Sequence, residues 1–110
     1  MDEIFGGFGG DEIFGNDGND LLNGESGIDL IEGGNGVDTI NGGSSVDFIE
    51  GGPGNDILSG NGAGDFIEGN NGQDTINGND GNDFLFGGDG IDVINGGRGC
   101  LLYTSDAADE

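Results

Sequence analysis

Aspartate recurs along this chain at a spacing that suits cation binding. It occupies every ninth position across most of the sequence, at Asp2, Asp11, Asp20, Asp29, Asp38, Asp47, Asp56, Asp65, Asp74, Asp83 and Asp92. Carboxylate oxygens arrayed beside main-chain carbonyl oxygens are ligands for hard divalent cations. Ordinary zinc sites and histidine-based catalysis are excluded, because the chain has no histidine and only one cysteine.

The overall charge narrows the range of partners further. The 110 residues include 23 acidic residues and one basic residue, which gives a formal net charge of -22. Such a chain repels phosphate groups, and this excludes nucleic acid and anionic membranes as partners. No segment approaches the roughly 18 consecutive apolar residues of a membrane span. The length allows one small domain.

The aspartates belong to a nine-residue repeat. Cut from Gly6, the sequence divides into ten units without a gap, ending at Asn95. Position one is always glycine, and position six is the aspartate described above. A disordered acidic linker would scatter these residues instead of holding one register. Position eight is always aliphatic, at Ile4, Ile13, Leu22, Ile31, Ile40, Ile49, Leu58, Ile67, Ile76, Leu85 and Ile94.

Each unit predicts a turn followed by a short strand. Positions one to six are rich in Gly, Asn and Asp, which tolerate positive φ and mark turns. Positions seven to nine predict a three-residue strand whose middle side chain points inward. Two units make one coil of eighteen residues, and successive coils stack parallel strands about 4.8 Å apart. The sequence therefore predicts an all-β fold, a right-handed parallel β-roll that is a two-sheet β-solenoid.

Stacking places aspartates from alternate units above one another, along two edges of the roll. Carboxylates about 5 Å apart repel by roughly 3 kcal/mol per pair at an effective dielectric near 20. The sum exceeds the net stability of a small domain, so the roll is expected to need a divalent cation between turns. Six to eight flexible oxygen ligands favour Ca²⁺ over Mg²⁺, which demands a tight octahedron. Edge one carries Asp2, Asp20, Asp38, Asp56, Asp74 and Asp92, and edge two carries Asp11, Asp29, Asp47, Asp65 and Asp83.

The units resemble the RTX (repeats-in-toxin) nonapeptide G-G-x-G-x-D-x-U-x over residues 1–99. The resemblance implies a parallel β-roll that binds Ca²⁺ between turns of the same edge, through the eleven aspartates and through turn carbonyls such as those of Gly33–Asp38. The expected total is several ions, about eight full inter-turn sites at most. The resemblance also implies bacterial type I secretion, folding in external calcium, and an attached effector domain that is absent from these residues.

Position four departs from the repeat in two turns of edge two. It is glycine in the other units, but Ser45 and Ala63 occupy it in neighbouring turns. A non-glycine residue at positive φ costs roughly 1–2 kcal/mol. We therefore expect four sound sites on edge one and weaker or missing sites around Ser45 and Ala63. Glu25, at position two, is expected either to be solvated or to reach a cation.

The last eleven residues, Cys100–Glu110, break the repeat. Leu101 stands where aspartate is expected, and Tyr103 stands where Ile or Leu is expected. The segment resembles the read-through translation of a transposase-based sequencing adapter. We therefore predict a calcium-binding roll over residues 1–99, truncated at both ends, and a non-native tail over residues 100–110.

Together these features favour a calcium-binding structural module of a secreted, extracellular bacterial protein. An enzyme is not expected, because base-assisted nucleophiles are missing and the carboxylate pairs repeat evenly along the chain. The alternative is an adhesive or ice-binding solenoid surface, although positions three and five carry no continuous rank of Thr or Asn. The outward phenylalanines are expected to cover the sheets rather than to form a binding strip: Phe5, Phe14, Phe48, Phe66, Phe84 and Phe86.

Overall fold

The chain winds as short parallel strands in a computed structural model that describes residues 1–100 and 102–104, the last three by their backbone. No helix occurs among these described residues. The strands are β1 (Glu3–Gly7), β2 (Glu12–Phe14), β3 (Leu21–Glu25), β4 (Leu30–Glu32), β5 (Thr39–Gly43), β6 (Phe48–Glu50), β7 (Ile57–Asn61), β8 (Phe66–Glu68), β9 (Thr75–Asn77), β10 (Phe84–Phe86), β11 (Val93–Asn95) and β12 (Leu102–Thr104).

Successive strands alternate between two sheets. The odd-numbered strands form one sheet and the even-numbered strands form the other, each in sequence order. Pairing is parallel and joins residues one coil apart, as Ile31 pairs with Ile49 and Ile40 pairs with Leu58. The prediction of an all-β, two-sheet solenoid with eighteen residues per coil is therefore confirmed.

The core is a single layer of aliphatic side chains from position eight. Each coil contributes only two of them, so no coil encloses a core without its neighbours. Ile4 and Ile94 lie in the terminal coils and are only partly buried. The aliphatic side chains with 3% exposure or less are Ile13, Leu22, Ile31, Ile40, Ile49, Leu58, Ile67, Ile76 and Leu85.

Position four is where the stacked turns require glycine. At Gly72 the φ angle is +116°, a value that L-residues rarely adopt. A Cβ atom at Gly72 would also overlap the carbonyl oxygen of Gly54 in the preceding coil. At Gly72 the adjacent turns therefore approach one another too closely for a side chain.

Replacing Gly72 by alanine is expected to destabilise the roll by about 3 kcal/mol, from backbone strain and from the overlap with Gly54. The measurement is urea unfolding in calcium buffer, followed by circular dichroism. The matched control is Gly62→Ala, since a Cβ atom there meets no atom within 4 Å. We expect that control to change the free energy of unfolding by less than about 0.5 kcal/mol. Equal losses of unfolding free energy in the two variants would contradict the requirement for glycine at Gly72.

The final strand lies within the segment that the sequence analysis sets apart as a non-native tail. Its backbone continues the even-numbered sheet, with Phe84 opposite Leu102. Cys100 packs partly buried against the core layer, and its Sγ lies 3.7 Å from the carbonyl oxygen of Asp83. Leu101 and residues 105–110 lie outside the described residues, so the foreign origin of this tail stays a prediction.

Candidate metal-binding edges

The repeat aspartates form two hydrogen-bonded columns, one along each edge of the roll. Within a column, the Oδ1 atom of each aspartate accepts the backbone N–H of the aspartate one coil earlier. Asp56 accepts from Asp38 at 2.8 Å on edge one, and Asp65 accepts from Asp47 at 2.8 Å on edge two. The same link joins all six aspartates of edge one and all five of edge two. Every candidate ligand from the sequence thus lies on its expected edge.

The second carboxylate oxygen in these columns is buried without a hydrogen bond. Glycine at position one leaves room for it: a Cβ atom at Gly51 would lie 2.6 Å from Oδ2 of Asp56 and 3.1 Å from the carbonyl oxygen of Gly69. Two oxygen acceptors therefore face the same space, and neither can donate. A buried anion of this kind needs a proton or a cation. The Oδ2 atoms concerned belong to Asp11, Asp20, Asp29, Asp38, Asp47, Asp56, Asp65, Asp74 and Asp83.

Burial raises the pKa of the central aspartates above the ordinary value of 3.8. Loss of solvation is the main cause, the hydrogen bond from the preceding aspartate opposes it, and nearby carboxylates add to it. The pKa reaches about 8 at Asp65, which lies between the carboxylates of Asp47 and Asp83. It is about 7 at Asp74 and about 6 at Asp56 and Asp47. Burial also raises the pKa of Asp29, Asp38 and Asp83.

The aspartates alone do not complete a metal site. Within the described part of the chain, no group of three or more Asp, Glu, His or Cys side chains could hold an ion. A hard cation on either edge would therefore need main-chain oxygens as well. The turns present such oxygens toward the next coil: the carbonyl of Asn16 faces Gly34, and the carbonyl of Gly18 faces Gly36. This donor set consists of oxygen alone and fits calcium.

The two edges differ in how their turns are joined. On edge two, the position-two carbonyl accepts the N–H of position three in the next coil, as Glu25 accepts from Ser44 at 2.8 Å. On edge one, asparagine side chains at position five act as acceptors between coils: Asn19 Oδ1 accepts from Val37 and Asn55 Oδ1 accepts from Gln73, both at 2.8 Å. This acceptor role was not predicted from the sequence. The signal in the sequence was asparagine at Asn19 and Asn55, two turns apart on that edge.

Ser45 and Ala63 change the shape of the middle turns of edge two. Both adopt positive φ, at 77° and 73°, whereas Gly27 and Gly81 at the same position have 110° and 115°. Their Cβ atoms exclude Ser45 and Ala63 from the larger positive φ values that glycine adopts. The Glu25 side chain, whose role was left open, is exposed to solvent, and its backbone has a φ of 76°.

The fold and its two columns of buried carboxylates define the class of this protein as a repeat module of the β-solenoid type. The family model of the RTX calcium-binding nonapeptide repeat matches it in four overlapping copies, at residues 1–31, 24–58, 32–67 and 59–94. The chain belongs to this family, which is a structural repeat family and not an enzyme class. No curated protein and no solved structure matches the chain. No helix among the described residues is long and apolar enough to cross a membrane.

Proposed function

We propose that this chain is a calcium-binding structural module of a secreted bacterial protein and that it folds on meeting calcium outside the cell. Membership of the RTX repeat family supports a calcium-binding repeat. The observation that carries the coupling to folding is the row of buried Oδ2 atoms without hydrogen-bond partners on both edges. A chain with this burden of negative charge is expected to stay unfolded where calcium is scarce.

The proposed ligands are the eleven repeat aspartates together with carbonyl oxygens of the turns. Bound calcium would supply the positive charge that the stacked carboxylates lack. Oδ1 keeps the register between coils through its hydrogen bond, and Oδ2 is the atom left to ligate. In this proposal export would precede folding, and the folded roll would stabilise an attached effector domain.

The test of this function is a calcium titration of the chain at about pH 8, above most of the raised aspartate pKa values, followed by far-UV circular dichroism. We expect a coil spectrum in chelator and a cooperative gain of β signal in the 10⁻⁴–10⁻³ M range, roughly that of extracellular calcium modules. Magnesium at the same concentrations is the control and is expected to leave the coil. A β spectrum already present in chelator at about pH 8 would contradict the coupling of folding to calcium binding.

Restoring glycine in the two altered turns is expected to strengthen edge two. Ser45→Gly and Ala63→Gly should each stabilise the calcium-bound roll by about 1 kcal/mol and lower the calcium midpoint, because strain at positive φ is removed. Urea unfolding at fixed calcium measures the first effect. The control is Ser44→Gly, one residue away, which should be neutral or slightly destabilising. No gain in either turn would contradict the proposal of weaker sites there.

A further inference from the structure

The outward phenylalanines are segregated onto one face of the roll. The even-numbered sheet carries Phe14, Phe48, Phe66, Phe84 and Phe86, and the odd-numbered sheet carries Phe5. The rings of Phe48 and Phe66 lie 6.1 Å apart, and those of Phe66 and Phe84 lie 5.7 Å apart. Phe48 and Phe66 nevertheless remain 46% and 37% exposed. With Leu30 they form a continuous apolar row at position seven.

A row of glutamates runs beside this apolar row. Glu32, Glu50 and Glu68 occupy position nine of β4, β6 and β8 and pair directly opposite one another. Like charges directly opposite on neighbouring strands destabilise a sheet. The chain itself offers only one basic residue, Arg98, whose backbone pairs with Asp80 in a turn of edge two. A cationic partner would therefore relieve the repulsion along this row.

The opposite face shows that covering a sheet does not require this pattern. After Phe5 in β1, position nine of the odd-numbered sheet is Asn23, Asn41, Ser59, Asn77 and Asn95, with a side-chain hydrogen bond of 3.2 Å from Asn95 to Asn77. These five residues are polar and uncharged, while Ile57 and Val93 at position seven of the same face are 47% and 57% exposed. The two faces therefore differ in charge at position nine, glutamate against asparagine. The contrast between the faces points to a partner for the even-numbered sheet.

The apolar and acidic rows enclose a shallow groove. A depression of about 210 Å³ is lined by Leu30, Phe48, Phe66, Glu50 and Glu68, among others. A second depression, of about 440 Å³, shares Leu30 and Phe48 and continues toward edge two. The groove therefore runs along the axis of the roll across several coils.

We propose that this face binds a cationic amphipathic helix from another molecule, lying along the axis of the roll. Its apolar stripe would pack on the phenylalanine row, and its Lys or Arg residues would meet the glutamate row. Along the axis of the roll, successive strands repeat every ~4.8 Å, close to the roughly 5–6 Å between helical side chains at i and i+4. Across that axis, the phenylalanine and glutamate rows lie about 7 Å apart. A second copy of this chain is the poorer occupant, because pairing would bring two glutamate rows and two charges of -22 together.

The test uses a synthetic amphipathic peptide of Leu and Lys as the probe and the full chain in millimolar calcium, after circular dichroism has shown β structure. Binding is measured by titration calorimetry at about 0.15 M salt, where weak surface attraction is screened. The variant Glu50→Gln with Glu68→Gln removes two negative charges from the face. The matched control, Asn23→Lys with Ser59→Lys, changes the net charge equally on the opposite face.

We expect the glutamate variant to weaken binding about tenfold and the control to change it less than about twofold. Phe48→Ser with Phe66→Ser should also weaken binding by about tenfold or more. Equal weakening by the glutamate variant and by the control would overturn the proposal, because bulk charge would then explain the attraction. Absence of binding would overturn it as well. Self-association that the phenylalanine variant abolishes would overturn it in favour of a second copy of the chain.

Discussion

Acidification is expected to fold the metal-free chain, with protons replacing the missing cations. The pKa values of the central aspartates are raised in the folded roll, to about 6 at Asp47 and Asp56, about 7 at Asp74 and about 8 at Asp65. A group whose folded pKa is raised contributes stability that is fully present below its unfolded pKa, near 3.8. That contribution is lost as the pH rises through the folded pKa. The metal-free roll should therefore be most stable in acid and should unfold between about pH 6 and pH 8.

The measurement is circular dichroism of metal-free protein between pH 5 and pH 8 at constant ionic strength, staying above the isoelectric point near 4.1. We expect β signal at pH 5 and coil at pH 8. In calcium the dependence of stability on pH should reverse in sign, because the ligands must lose their protons to bind metal. The calcium midpoint should then rise as the pH falls. A metal-free β signal that grows with pH would contradict this interpretation of the buried carboxylates.

Replacing Asp56 by asparagine is expected to have opposite effects with and without calcium. Asparagine keeps an Oδ1 acceptor for the N–H of Asp38, which is the contact that holds the register. It removes the charge and places an amide donor where Oδ2 lies buried beside the carbonyl oxygen of Gly69. The metal-free roll should gain about 1–3 kcal/mol, the cost of a buried polar atom left unpaired.

In calcium the same substitution removes a ligand oxygen, and the calcium midpoint should rise at least about tenfold. The two effects are measured as an upward shift in the pH of acid-induced folding and as a shift of the calcium titration. Asp89→Asn is the matched control, because this aspartate is exposed in a turn and lies outside the two columns. The control should move neither midpoint appreciably. If Asp56→Asn destabilised the metal-free roll, the unpaired Oδ2 would not be the source of its instability.

The two predictions concern the same atom and separate two roles of the aspartate. Oδ1 maintains the register between coils, through a hydrogen bond that forms both in acid and in calcium. Oδ2 is the atom at which the negative charge of the carboxylate is neutralised, by either a proton or a cation. The position-one glycine permits both, because any side chain there would occupy the space into which Oδ2 points.

The repeat spacing alone determined the coil length, the inward position of residues such as Ile40 and the assignment of each aspartate to an edge. Those features depend only on periodicity, since identical units that stack must place identical positions above one another. The requirement for glycine at position four was also predictable, because its recurrence signals positive φ. The altered turns at Ser45 and Ala63 were expected from the same pattern and show a different φ from their glycine neighbours.

Only the tertiary structure decided what each oxygen and each face does. The repeat predicted repulsion between stacked carboxylates, but it did not predict that Oδ1 accepts the N–H of the preceding aspartate while Oδ2 is left alone. The acceptor role of Asn19 and the gathering of phenylalanines on one sheet were likewise missed. The acceptor role depends on a contact between residues eighteen apart, and the gathering of phenylalanines reflects their recurrence in the units of the even-numbered strands. A nine-residue consensus does not distinguish odd from even units, whereas the folded coil places them in different sheets and on different edges.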